Sequence, residues 1–188
     1  TDDSNTSTIT ITVNAVNDTP VVTGSGDPFA TNTYSGFFNG STYANIGSSF
    51  DISGESAMSV QAWVKPSSSS QDSGATIVAK GDDTNYTYRQ FDMAMNDDNG
   101  DGSYIYRASM SVSNNGFALD TTSEAEVNEW AHLVLTYDGS TFKLYKNGTL
   151  EDSESVSGTI NAGNSVARNF TIGDLMPNKS QYGFTGYI

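Results

Sequence analysis

Cysteine is absent from the 188 residues. A disulfide framework and thiolate zinc sites are therefore excluded. Basic residues are scarce: 8 Lys and Arg stand against 22 Asp and Glu, for a formal net charge of -14. A field of that sign repels nucleic-acid backbones and anionic membrane surfaces, and it attracts divalent cations, whose hard-oxygen ligands it supplies. Histidine is nearly missing too. His132 stands alone, only three arginines occur, and there is no G-x-S-x-G elbow. Both a Ser-His-Asp arrangement and a lyase-type basic cleft therefore have little to build on. No run of about 18 apolar residues occurs, which removes membrane-spanning helices. The opening TDDSNTST has neither the basic nor the apolar region of a secretory leader and reads as a boundary inside a longer chain.

What is present favours β-structure. Hydrophobic residues make up 36% and aromatics 11%, enough for a core, and Ser, Thr, Asn, Asp and Gly dominate the remainder. Val, Thr, Tyr and Phe suit a pleated, half-buried surface. Residues 8–16, TITITVNAV, alternate Ile9, Ile11 and Val13 against Thr10, Thr12 and Asn14, as a half-buried strand does. Pro20 in the adjoining NDTPVVT stops ladder pairing. Residues 23–33 read as a linker, and a second domain is expected over 34–188. In MSVQAWVKP (58–66) the alternation turns Val60, Ala62 and Val64 inward. Phe91, Met93 and Met95 share one face, as do Ala108, Met110 and Val112. Asn39-Gly40, Asp138-Gly139 and Asn147-Gly148 are turn signals, the last two suited to tight hairpins. Helical periodicity is missing throughout. About a dozen short strands with regular turns predict an all-β antiparallel sandwich.

Acidic loops carry the candidate chemistry. In NDDNGDG (96–102), Asp97, Asn99 and Asp101 followed by Gly102 match the first half of a D-x-[DN]-x-[DN]-G calcium loop. The twelfth position is Ala108 rather than a bidentate Glu, so an EF-hand is excluded. Two readings remain: a half-loop that takes Ca²⁺ with help from elsewhere, or a Gly-assisted turn with solvated acids. A second acidic loop holds Asp82 and Asp83 beside Tyr86, and Tyr104 lies just past the first loop. Carboxylates beside an aromatic ring are the ingredients of a sugar site, although cross-strand packing explains the tyrosines equally well. Trp63 and Trp130 lie in the most regular strand text and are expected to pack within the sheets. Glu124 and Glu126, with Glu129 beyond, lack the spacing of paired catalytic carboxylates, so no enzymatic activity is expected.

Two stretches resemble known families. ITVNAVNDTPVVT resembles the closing strand and junction of Ig-like or cadherin-like repeats in very large bacterial adhesins. That resemblance implies a repeat ending within residues 1–22 and a role for Asp18 in holding an interdomain calcium. FFNGSTYANIG, MSVQAWVKP, TIVAKGD, NEWAHLVLTYDGSTFKLYKNGTLEDSESVSG and FTIGD with FTGYI together resemble the laminin G-like, concanavalin A-like jelly-roll family. The fold it implies is two curved antiparallel sheets, and its members bind glycans, proteins or lipids, often with calcium. The resemblance further implies a strand continuing beyond Ile188, and paired histidines where this chain has only His132. The resulting expectation is a calcium-dependent, lectin-like module of a secreted or surface bacterial adhesin, next to other adhesin domains and attached to glycans without nucleic-acid or membrane contact. A non-catalytic structural or protein-binding extender stabilised by calcium is the alternative.

Overall fold

The computed structural model describes residues 35–81, 89–97, 100–161, 169–175 and 182–188. A division falls between Ser35 and Gly36, and the unit Gly36–Ile188 contains every strand among the described residues. The expected strand at 8–16, the junction with Asp18 and the linker lie outside the described residues. So do Asp82, Asp83, Tyr86 and Asn99.

Twelve strands, numbered in chain order, form two six-stranded sheets among the described residues. One sheet runs β1 (Phe37–Asn39), β12 (Thr185–Tyr187), β3 (Met58–Pro66), β8 (Ala131–Tyr137), β9 (Thr141–Lys146) and β10 (Thr149–Ser155). The other runs β2 (Ala44–Gly47), β11 (Phe170–Ile172), β4 (Ala75–Lys80), β5 (Phe91–Asn96), β6 (Ile105–Val112) and β7 (Asn115–Glu124). All named strand pairs are antiparallel. The result is the concanavalin A-like jelly-roll sandwich expected from the sequence.

Turn chemistry sets the hairpins. Asn147 and Gly148 take φ of 52° and 81° and join β9 to β10 with Lys146 opposite Thr149, the left-handed pair that a two-residue hairpin requires. Asn39-Gly40 does something different. It ends β1 in one sheet, and β2 begins in the other, so this turn leads into a crossover and closes no hairpin.

Alternation sets the core. Phe91, Met93 and Met95 are buried, and so are Ala108, Met110 and Val112, as their phase predicts. They meet Val64, Leu133, Leu135, Phe142 and Leu144 of the opposite sheet in one cluster. Each large side chain fully buried there contributes about 1.5–3 kcal/mol against leaving it exposed.

The tryptophans depart from expectation. Trp63 is 40% and Trp130 42% exposed, so neither packs between the sheets. For Trp63 the cause is the alternation itself: with Val60, Ala62 and Val64 turned inward, Trp63 belongs to the outer face. Size and apolarity argued for burial, and the period of two overrode them.

Candidate functional site

The outer face of the β4-β5-β6-β7 half-sheet carries a polar cleft of about 190 Å³. Strand register explains its shape. Thr76 on β4, Ala94 on β5, Arg107 on β6 and Asp120 on β7 lie in one row across the strands. Ala94 is the small member, flanked by longer side chains, and the depression opens over it. Asn96, two residues further along β5, shares its face and also lines the cleft. Tyr182 supplies an aromatic wall. Its ring lies against Gly74, where a Cβ would sit 3.1 Å from Cδ1, and its carbonyl accepts the Thr76 N–H at 2.8 Å.

Charge enters in two Arg–Asp pairs. Arg107 donates through Nε and Nη2 to the two carboxylate oxygens of Asp120, each at 2.7 Å. The Arg89 Nη1 lies 3.3 Å from both Asp92 oxygens. Asp92 projects outward from β5 yet is buried beneath the cleft, and that burial pushes its carboxyl above the ordinary range while Arg89 and Arg107 pull it down. Asp120 is also held from β10. Its backbone N–H donates to Asp152 on β10 at 3.4 Å, and Thr122, two residues on, gives its N–H and hydroxyl to Glu151 at 3.0 and 2.7 Å. The strand that carries Asp120 is thus tied to β10 of the other sheet. The two pairs present guanidinium donors and carboxylate acceptors in preset directions, which suits a polyhydroxylated ring.

The NDDNGDG segment is the β5–β6 hairpin loop, as its position predicts, with Asn96 opposite Ile105. Asp97 accepts the backbone N–H groups of Gly100 at 2.6 Å and Gly102 at 3.3 Å, while Asp101 accepts that of Ser103 at 2.8 Å. These contacts brace a turn. Among the described residues no three acidic or histidine side chains converge as a metal site, so calcium at Asp97 and Asp101 requires further ligands such as Asn99 or backbone carbonyls. Tyr104 packs against the core and its hydroxyl donates to the Gln71 carbonyl, so its ring and oxygen are engaged within the domain.

The structure therefore gathers residues that no local motif marks: Arg89, Asp92, Asn96, Arg107, Asp120 and Tyr182. One signal was available. With only three arginines in the chain, their placement is informative, and Arg107 falls on the outward phase of a strand whose inward phase is Ala108, Met110 and Val112. Gln71 was likewise invisible. It sits in a Ser-rich loop, yet its amide donates to the Thr185 carbonyl at 2.7 Å and accepts the Thr185 N–H at 2.9 Å, pinning β12.

The fold and cleft define a two-sheet jelly-roll module with a small polar recess on one outer face. Residues 38–188 match the Laminin G family described as the concanavalin A-like lectin/glucanases superfamily, and the chain belongs to that family. No curated protein sequence matches it. Among solved structures it is similar to the CBM40 of the Ruminococcus gnavus IT-sialidase bound to alpha2,3 sialyllactose, at 14% identity and a TM-score of 0.59, over 82% of this chain and 85% of that one. It is also similar to domain 4 of AbnA, a GH43 extracellular arabinanase from Geobacillus stearothermophilus, in complex with arabinotriose (19%, TM-score 0.54, 81% and 66%). A third is the mouse laminin alpha1 chain, domains LG4-5 (12%, TM-score 0.54, 88% and 44%). The chain spans less than two thirds of the arabinanase and laminin structures. At these identities the likeness is one of fold.

Proposed function

We propose that the chain is a non-catalytic carbohydrate-binding module and that the cleft around Ala94 seats one neutral sugar ring. The observation that carries this reading is the convergence of two of only three arginines, each paired with an aspartate, on a single recess. At about 190 Å³ the recess is smaller than the roughly 300–1,000 Å³ of ordinary small-molecule pockets, which fits a single ring or a chain end. Arg and Asp side chains locked to each other offer donors and acceptors to neighbouring hydroxyls, and Tyr182 offers a face for the ring's C–H side. Both arginines already face carboxylates, and the chain carries a net charge of -14. An acidic sugar gains little there. Two of the similar folds were solved with saccharides, alpha2,3 sialyllactose and arabinotriose, which supports the ligand class without fixing the sugar.

The wider reading is a calcium-dependent module of an extracellular bacterial adhesin, supported by the acidic loops and by the junction text ahead of residue 23. Calcium in the 96–102 loop would brace the cleft's rim, because the loop begins at the cleft-lining Asn96. A glycan array containing neutral and acidic saccharides, run in calcium and again in EDTA, tests both levels. The expected result is retention of neutral saccharides, weakened by EDTA. Binding unchanged by EDTA removes calcium from the reading. Retention of nothing but acidic saccharides contradicts the neutral-ring site. Calcium-raised melting without any saccharide bound leaves the structural-extender alternative standing.

A further inference from the structure

The opposite outer face carries a feature that the cleft does not use. Phe37 on β1 and Tyr187 on β12 stand opposite each other in register with ring centroids 5.0 Å apart. Trp130, just ahead of β8, reaches across β3 to within 6.5 Å of Tyr187. Trp63 on β3 stacks on His132 of β8 at 4.8 Å and 19° between planes, and the His132 Nε2 lies 2.9 Å from the Gln61 oxygen. Phe37, Trp63, Trp130 and Tyr187 are all exposed. The group crosses β1, β12, β3 and β8, on the order of 14 Å at about 4.8 Å per strand interval.

We propose that this face is a second saccharide-binding surface, on which a neutral polysaccharide chain lies across the strands. Its composition selects the ligand. Phe37 and Trp130 both pack on Tyr187, Trp63 packs on His132, and the face also carries the hydrogen-bonding groups of Gln61 and His132 and the Lys65 side chain, whose residue lies opposite Tyr187. Aromatic faces with polar groups beside them match a sugar ring, which presents C–H faces and a rim of hydroxyls. Length selects a polymer, since the row is far wider than a single recess. Charge selects a neutral one: the chain's net charge of -14 repels polyanions and anionic lipid alike. The Trp63–His132 stack and the His132–Gln61 contact hold the surface in place before the ligand arrives, which lowers the ordering cost of binding. This surface does not depend on the cleft.

The chain's two tryptophans both lie on this face, so tryptophan fluorescence reports it and not the cleft. The probes are soluble β-glucan, xylan and mannan, each titrated into the full chain. At least one is expected to shift the emission saturably. Trp130→Ala, read through Trp63, is expected to weaken that titration roughly ten-fold or more, Trp130→Phe to restore most of it, and Ala94→Leu in the cleft to leave it unchanged. Three results overturn the proposal. One is no saturable shift with any of the three polymers. Another is equal loss in Ala94→Leu. The last is concentration-dependent dimerisation in sedimentation that Trp130→Ala abolishes, which gives the face to a second copy of the chain. Failure here leaves the cleft reading intact, because no tryptophan lines the cleft and its binding is read by the loss that Ala94→Leu causes.

Discussion

The two outer faces of the sandwich are made by the same rule and come out opposite. On both, every second residue of a strand points away from the core. On the β4-β5-β6-β7 side the central outward residue is Ala94, and the longer Thr76 and Arg107 beside it enclose a recess with charged walls. On the β1-β12-β3-β8 side the outward residues include Phe37, Tyr187 and Trp63 beside Gln61, Lys65 and His132, so large side chains stand in neighbouring rows and no small residue opens a recess among them. Backbone period decides which residues face out. Relative side-chain size across the strands decides whether that face is hollow or raised, and therefore what shape of ligand it fits.

Opening the shared core is expected to erase both faces at once. Phe142 is fully buried between the sheets, and Phe142→Ala is expected to lose about 3–5 kcal/mol, lowering the urea midpoint and weakening the tryptophan signal and saccharide retention together. A change confined to one face separates them. The Arg107–Asp120 pair is partly exposed, with side chains 31% and 36% accessible. Arg107→Met should therefore cost only about 0.2–1 kcal/mol of stability. The same substitution is expected to reduce cleft affinity roughly ten-fold, by removing a charge-assisted donor, while leaving tryptophan emission as it was. Calorimetry with fluorescence on one sample checks both halves.

The smallest effect belongs to His132, where burial holds the imidazole below its usual value. A base whose folded value is depressed binds protons more readily in the unfolded chain, so stability rises with pH between the folded and unfolded values and is lost as pH falls through that window. The single imidazole resonance should titrate below about 6.5. His132→Gln should flatten the melting temperature across that range without touching the cleft. An imidazole that titrates above its usual value contradicts the packed, neutral stack on Trp63.

Much of this architecture was legible in the sequence. Inward-phased Phe91, Met93 and Met95, with Ala108, Met110 and Val112, marked the β5–β6 hairpin, and Asn147-Gly148 marked the β9–β10 turn. The same phase already placed Trp63 outside, although its bulk argued for burial. What could not be read is convergence. Arg89 and Asp92 are neighbours in the chain, but Arg107 and Asp120 join them only through the register of three strands. Tyr182 arrives from beyond β11 to wall the same recess. Motifs with fixed local spacing, such as NDDNGDG, are conspicuous in a linear chain, and in that one Asp97 and Asp101 accept backbone N–H groups of their own turn. A sheet-face site has no such spacing, because its members are assembled across strands.

Isothermal titration of the strongest neutral mono- or disaccharide from the array, too short to span the aromatic row of the other face, into the wild-type chain and into Ala94→Leu tests the cleft most directly. Leucine fills the recess without removing any charged group. The expected result is a saturable one-site isotherm for the wild type and none for Ala94→Leu, with both proteins giving the same tryptophan emission. An Ala94→Leu isotherm indistinguishable from the wild type would contradict the cleft as the sugar site.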